Sequence, residues 1–269
     1  MKIAFIGGGN MANALIGGLA DRLTAGANIH VVDVNAGALD SLSRFGVTSA
    51  TEIDERIAQA DVIVLAVKPQ QMKQVASALA PQLSAQLVLS IAAGIRAADL
   101  SRWLGGHAAI VRAMPNTPAL IGKGITGMVA TAGVTEGQRD IADAVMRAVG
   151  PTVWLDDEAL IDPVTAVSGS GPAYVFYFLE AMQQAAVEMG LTAEQGNQLA
   201  LATFVGAALL AAGADEPVSV LRERVTSKGG TTHAAITAMD QRGVRQAIID
   251  AMKAAAERGR TLGDEFGRG

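Results

Sequence analysis

The chain has 269 residues, half of them hydrophobic and 17% charged, with a formal net charge of −5. That length and balance suit one large domain or two ordinary ones with a substantial core, and they exclude a disordered chain. No segment carries a Lys/Arg cluster, which disfavours nucleic-acid and anionic-membrane partners, and the absence of cysteine rules out disulfides, thiolate catalysis and cysteine metal sites.

The first predicted element is the strand Met1-Lys2-Ile3-Ala4-Phe5-Ile6. It lacks the charged and cleavable flanks of a signal peptide. The most lipid-like stretch, 199–214, is shorter than the ~20 residues of a bilayer span and rich in Ala. The expected compartment is therefore the cytoplasm.

Up to about residue 157, short apolar runs at 3–6, 29–32, 62–67, 87–91 and 109–111 alternate with helical patterns at 10–22, 70–79 and 135–149. Runs apolar on both faces suit buried parallel strands, and the alternation predicts an α/β, Rossmann-like doubly wound sheet in a first domain, 1–157. Between its first strand and first helix lies Gly7-Gly8-Gly9-Asn10-Met11-Ala12, a match to G-x-G-x-x-G/A. In that pattern the first glycine makes the tight turn, the second lets the backbone approach a pyrophosphate, and the small third residue permits close helix–strand packing. The helix N-terminus adds unpaired N–H groups and partial positive charge. Asp33 ends the second strand, where an acid binds a ribose 2′-hydroxyl. Its carboxylate would repel a 2′-phosphate, and no cation follows until Arg44, which favours NADH or dual use; the alternative is a solvent-facing loop residue.

After residue 162 the strand signals stop, and a helical second domain, 158–269, is predicted for substrate binding and dimerisation. Ser168-Gly169-Ser170-Gly171-Pro172 reads as a flexible loop with Pro at a helix start. Val175, Phe178, Leu179, Met182, Ala186 and Met189 then keep a helical rhythm, which Gly190 stops. Thr192 and Gln195 form a capping-box pattern for a second helix, closed by Gly213. From 163 to 213 the only charges are Glu180, Glu188 and Glu194, so these helices are apolar around most of their circumference. They are expected to form the core of a dimer rather than the outside of a monomer. The segment 214–269 carries three shorter helical patterns, frayed from Gly263 onward. His30, His107 and His233 lack metal-ligand spacing and are expected on the surface or in loops, with no metal site.

Four further motifs form a recognisable set: Leu65-Ala66-Val67-Lys68-Pro69-Gln70, Met114-Pro115-Asn116-Thr117-Pro118, Ala166-Val167-Ser168-Gly169-Ser170-Gly171-Pro172-Ala173-Tyr174, and Arg224-Val225-Thr226-Ser227-Lys228-Gly229-Gly230-Thr231-Thr232. In order and spacing the chain resembles the pyrroline-5-carboxylate reductase family over essentially its whole length. The resemblance implies reduction of 1-pyrroline-5-carboxylate to L-proline with NADPH or NADH, the last step of proline biosynthesis. It also implies a helical domain that dimerises and builds larger rings. By resemblance Gly7, Gly8, Gly9, Asn10 and Met11, entered from Ile6, hold the pyrophosphate. Ala66, Val67, Lys68 and Pro69, with Ala92 and Ala93, flank the ribose and nicotinamide. Arg224 falls at a cofactor contact, and Glu158, Thr231 and Thr232 at substrate contacts. Lys228 stands where the family has proline.

The substrate is a cyclic imine bearing a carboxylate. Ser227, Gly229 and Gly230 lead into a helix, and glycine-freed amides at a helix start suit a carboxylate. Thr232 is the candidate catalytic residue, its hydroxyl donating to the ring nitrogen; the alternative is that these residues only cap the helix. No strong general acid stands in the motifs, so catalysis is expected to be mostly positioning. Lys68 and Asn116 are further candidates near the cofactor, with a solvated loop lysine as the alternative for the first. A β-hydroxyacid dehydrogenase would need a lysine on the first long helix of its second domain, and none occurs between Lys123 and Lys228. A cofactor-sensing regulator would show a degenerate 227–232 loop, which here is intact.

Overall fold

The computed structural model describes residues 1–267. The chain folds into two compact units, Met1–Ser170 with the stretch from Lys253 onward, and Gly171–Met252.

The first unit is built on eight strands: β1 (Ile3–Ile6), β2 (Ile29–Val32), β3 (Thr48–Ala50), β4 (Val62–Leu65), β5 (Leu87–Ser90), β6 (Ile110–Met114), β7 (Thr126–Ala130) and β8 (Thr152–Trp154). Their order is β3-β2-β1-β4-β5-β6-β7-β8, parallel throughout except between β6 and β7. Because side chains alternate along a strand, each central strand feeds two cores. Ile3, Phe5, Val62, Val64, Leu87 and Leu89 pack on one face beneath α1 (Asn10–Arg22). Ala4, Ile6, Ile63, Leu65 and Val88 pack on the other. This is why 3–6, 62–65 and 87–89 read as unbroken apolar runs.

After α1 come α2 (Ala36–Leu42), capped by Asn35, then α3 (Pro69–Leu79) and α4 (Ala97–Trp103), both on the second face. Helix α5 (Glu136–Arg147) carries a capping box from Thr135 and Gln138 and buries Ala142, Val145 and Met146 on the α1 face. Helix α6 (Ile161–Val164) passes into a π-helical turn, Thr165–Gly169, in place of the predicted flexible loop. The segment 158–170, assigned from sequence to the helical domain, packs in the first unit. Val164 lies against Gly127 of β7, whose hypothetical Cβ would stand 2.6 Å from the valine Cγ1. Strands β3, β7 and β8 were not predicted: two are three residues long and the third is interrupted by Gly127.

The second unit holds α7 (Gly171–Glu188), α8 (Ala193–Ala212), α9 (Val218–Arg224), α10 (Thr231–Gln241) and the first turns of α11 (Val244–Gly267). The predicted capping box of Thr192 and Gln195 opens α8, and Gly213 ends it. Gly196 lets α8 approach α7, since a Cβ there would lie 2.9 Å from that of Ala186. Phe178 and Phe204 meet with centroids 6.2 Å apart. From Gly263 to Gly267, where fraying was expected, the chain continues the 24-residue α11, and the last two residues lie outside those described. The C-terminal half of α11 is tied to the first unit's own residues: Arg96 pairs with Asp264 at 2.6 Å, and Arg102 donates to the Gly267 carbonyl at 3.0 Å. No described helix is long and apolar enough to cross a membrane.

His30, expected on the surface, is buried at 6% exposure in β2. Its Nδ1 lies 2.9 Å from Thr48 Oγ1, and Nε2 is 3.2 Å from Asp54 Oδ1 without hydrogen-bond alignment. Burial pushes the imidazole below 6.5, and Arg56 adds to this against the opposing pull of Asp54. A histidine depressed in the folded state binds protons more readily when unfolded, so its contribution is present above the unfolded value and lost as pH falls toward the folded one. Urea midpoints are expected to fall between about pH 7 and 5, and His30→Asn to flatten that slope. A slope unchanged in the variant would assign the titration elsewhere.

Candidate active site

The glycine turn at the end of β1 is fixed by contacts that leave no room for side chains. Gly7 adopts φ +105°, and a Cβ on it would lie 2.7 Å from the carbonyl carbon and oxygen of Ala66. Its N–H donates to the Val32 carbonyl at 2.8 Å. Gly8 donates its N–H to Asp33 Oδ2 at 2.6 Å. Gly9 is the N-cap of α1 and makes no side-chain cap bond, and a Cβ on it would meet nothing within 4 Å. The turn is thus closed on the sheet side and open on the other, with the first-turn amides of α1 facing that opening. Ala12 is buried in the core under the helix, as the motif requires.

The adjoining strand ends complete a crevice. Ala66 N–H donates to the Ile6 carbonyl at 2.8 Å and Ile91 N–H to the Leu65 carbonyl at 3.1 Å, so the turns after β1, β4 and β5 stand side by side. Strand order reverses direction between β1 and β4, the switch point where open α/β sheets bind ligands. Ala66, Val67 and Ala93 are half-buried there, Ala92 is buried and Lys68 is exposed at the N-cap of α3, with Pro69 in its first turn. A pyrophosphate and a flat ring fit such a surface of backbone and small side chains.

Glu158, expected at a substrate contact, already has two partners within the chain. Its Oε1 accepts from the Ala97 N–H at 2.7 Å and from Arg112 Nη1 at 2.6 Å. It therefore clamps the start of α4, just after the Ala92–Ala93 turn, to β6. Arg112 is the functional neighbour that motif reasoning missed. Its signal was a lone charge in Ile110-Val111-Arg112-Ala113-Met114, and the structure buries it to 5% exposure. Both line a cavity of about 340 Å³ with Gly94, Arg96, Asp162 and Arg260. Burial pushes the Asp162 carboxyl above its usual range against the pull of Arg112 and Arg96. Asn116 is also engaged: its Oδ1 accepts from Ile125 N–H at 3.0 Å and its Nδ2 donates to the Ser168 carbonyl at 3.2 Å. It braces the 114–118 turn rather than presenting a free amide.

In the second unit, Arg224 ends α9 and forms a two-pronged ion pair with Glu216. Beyond it Gly229 takes φ +78°, and Gly230 N–H returns to the Ser227 carbonyl at 3.0 Å. Gly230 is the N-cap of α10, with no side-chain cap bond. Thr231 and Thr232 therefore lie inside the first turn and do not cap the helix; Thr231 is exposed and Thr232 half-buried.

Glu158→Ala would leave the buried Arg112 charge unpaired. It is expected to lower stability by about 2–3 kcal/mol, below the range for fully buried pairs because a third of the Glu158 side chain is exposed. Glu158→Gln, which keeps an acceptor for Ala97, should cost about half as much. Denaturant midpoints equal to the parent's would dismiss the clamp.

Comparison with known proteins gives two family matches. A family described as pyrroline-5-carboxylate reductase dimerisation matches residues 158–262, and one described as NADP oxidoreductase, coenzyme F420-dependent, matches residues 2–94. The chain is 45% identical to a pyrroline-5-carboxylate reductase of Pseudomonas aeruginosa over 99% of its own length and 98% of the relative's. A solved pyrroline-5-carboxylate reductase from Coxiella burnetii superposes with TM-score 0.91 at 41% identity, covering 97% of this chain and 98% of that one. A Plasmodium falciparum pyrroline carboxylate reductase with NADP bound gives 0.88 at 28% identity, covering 98% of each.

Proposed function

Because this chain belongs to the pyrroline-5-carboxylate reductase family, we propose that it transfers hydride from NAD(P)H to the imine carbon of 1-pyrroline-5-carboxylate, giving L-proline. The observation that carries the reading is the crevice at the ends of β1, β4 and β5, closed by Gly7 against Ala66 and open at Gly9.

Bound NAD(P)H supplies the hydride. The chain's part is to hold and orient. Gly9, Asn10 and Met11 hold the pyrophosphate through backbone amides and the positive end of α1, while Ile6, Gly7 and Gly8 shape the turn beneath it, the Gly7 and Gly8 amides being given to Val32 and Asp33. Ala66, Val67, Lys68 and Pro69, with Ala92 and Ala93, flank the ribose and nicotinamide, and Arg224 adds a cofactor contact. Ser227 and Gly229 present backbone N–H groups to the substrate carboxylate, aided by the start of α10 and by Thr231, and Gly230, whose N–H is held by the Ser227 carbonyl, closes the turn. The Thr232 hydroxyl donates to the ring nitrogen and keeps it oriented while the C=N bond takes up hydride and the nitrogen gains its proton from solvent. Glu158 acts on the same chemistry through the Ala92–Ala97 segment that it fixes.

The helices of the second unit support self-association, as a dimer or a ring of dimers. Phe176, Tyr177, Val205, Leu209 and Leu210 are exposed at 60%, 75%, 52%, 68% and 74% on α7 and α8. That apolar surface is more than a soluble monomer ordinarily leaves open. Light scattering is expected to give a dimer or larger species, and Leu210→Glu to weaken it. A monomer at micromolar concentration would reject the assignment.

The functional test follows absorbance at 340 nm with 1-pyrroline-5-carboxylate and each reduced cofactor. Thr232→Ala is expected to lower kcat/KM about tenfold or more, roughly 1.4 kcal/mol of transition-state stabilisation, with Thr232→Ser retaining most of it. Unchanged kinetics in the alanine variant would remove Thr232 from the mechanism.

A further inference from the structure

The turn that follows β5 is anchored at both ends and unbonded between them. Ile91 N–H donates to the Leu65 carbonyl at 3.1 Å, and Ala97 N–H to Glu158 Oε1 at 2.7 Å. Among the described residues, no N–H of 93–96 is hydrogen-bonded to another element. A turn without such bonds keeps its place only through what packs behind it. At its tip Gly94 takes φ +72°, and a Cβ there would lie 3.2 Å from Leu262 Cβ and 3.3 Å from the Phe266 ring.

Both of those side chains come from the last turns of α11, four residues apart and therefore on one face of the helix. Phe266 also packs against the core that holds Ala92, Ile95 and Ala97. Gly259, Gly263 and Gly267 repeat the four-residue spacing and let α11 come close. Cβ atoms on them would stand 3.2 Å from Asp162 Oδ1, 3.0 Å from Arg96 Nε and 2.5 Å from Asp99 Oδ2. Arg96 closes the contact, donating to Asp264 Oδ1 at 2.6 Å and to the Arg260 carbonyl at 3.3 Å. The Arg96–Asp264 pair is more than a third exposed on each side, so its worth to folding is small.

We propose that the last turns of α11 position the Ala92–Ala93–Gly94 turn for hydride transfer, with Leu262 and Phe266 packed behind Gly94 and Arg96 latched to Asp264. The inference rests on the reading of Ala92 and Ala93 as flanks of the nicotinamide. A misplacement of about 1 Å at a reacting centre costs about a hundredfold in rate, so a turn that sags by a fraction of that slows transfer while the cofactor stays bound by its pyrophosphate. The test compares Phe266→Ala, Phe266→Leu and Arg96→Gln with the parent in steady-state and single-turnover reduction of 1-pyrroline-5-carboxylate, followed at 340 nm. Each is run with protiated cofactor and with cofactor deuterated at the transferred position. Phe266→Ala is expected to slow the transfer step about tenfold while cofactor affinity and substrate KM stay within about twofold, and the isotope effect on kcat to rise as transfer becomes limiting. Phe266→Leu, which refills the space behind Gly94, is expected to recover most of the rate. Arg96→Gln is expected to slow transfer about threefold with its denaturant midpoint unchanged, which keeps the inference testable should Phe266→Ala fold poorly. Transfer rates and isotope effects equal to the parent's, a loss confined to KM, or a loss that only follows the folded fraction would overturn it and leave the substrate assignment standing. A parent that turns over no 1-pyrroline-5-carboxylate would overturn it together with that assignment.

Discussion

The approach of two backbone segments, Gly7 against Ala66, governs the whole first unit. At 2.7 Å from a hypothetical Cβ to the Ala66 carbonyl, no side chain fits, and φ +105° would strain any residue but glycine. That approach lets β1 and β4 lie side by side with helices leaving on opposite faces, so it creates the switch point itself. It also frees the opposite side of the turn, where Gly9 has open space and α1 begins without a side-chain cap. A larger residue at position 7 would part the strand ends and close the crevice in one step. Fold and cofactor site therefore depend on the same few atoms.

The second constraint is electrostatic and is spread through the strand ends. Arg112 enters an otherwise apolar strand, and its burial is tolerable only because Glu158 meets it at 2.6 Å. The same carboxylate oxygen holds the Ala97 amide. Around it Arg96 reaches Asp264 and the carbonyl of Arg260, which brings the C-terminal half of α11 to the same place. Gly259 and Gly263 make this possible: a Cβ on the first would lie 3.2 Å from Asp162 Oδ1, and on the second 3.0 Å from Arg96 Nε. Sequentially remote segments thus converge on the Ala92–Ala97 turn. That turn is held by charge pairs and small residues, not by apolar packing alone.

What the sequence displayed and what it hid follow from range. The central strands were legible because burial on both faces leaves an unbroken apolar run, and the capping box at Thr192 because it is a bond between neighbours. The glycine motif was legible because its geometry is local. Strands β3 and β8 are too short to show a period, and β7 carries Gly127, which local reasoning takes as a break but which accommodates Val164 from a later segment. His30 looked like a surface residue because its partners, Thr48 and Asp54, come from other segments. Asn116 was picked out by motif and Glu158 by the family resemblance. The structure adds that each already serves backbone amides or carbonyls, a fact no spacing could reveal.

The chemistry explains why so little of the site is ionisable. A C=N bond is polarised toward nitrogen, and the nitrogen can take its proton from solvent as hydride arrives, so the protein need not supply a strong acid. A lysine base on the first helix after residue 170, as alcohol oxidation would need, is absent from α7. What remains to be controlled is the placement of a hydride donor and an anionic acceptor, and placement is best controlled by backbone. In the proposed reading Gly7, Gly9, Gly229 and Gly230 do this by being too small to interfere, at φ +105° for the first and φ +78° for the third. Asp33 anchors the glycine turn through the Gly8 N–H, and Glu158 anchors the start of α4 through the Ala97 N–H. A site of this kind loses rate when its turns shift, and shifting the turns requires only the loss of a carboxylate that touches neither reacting atom.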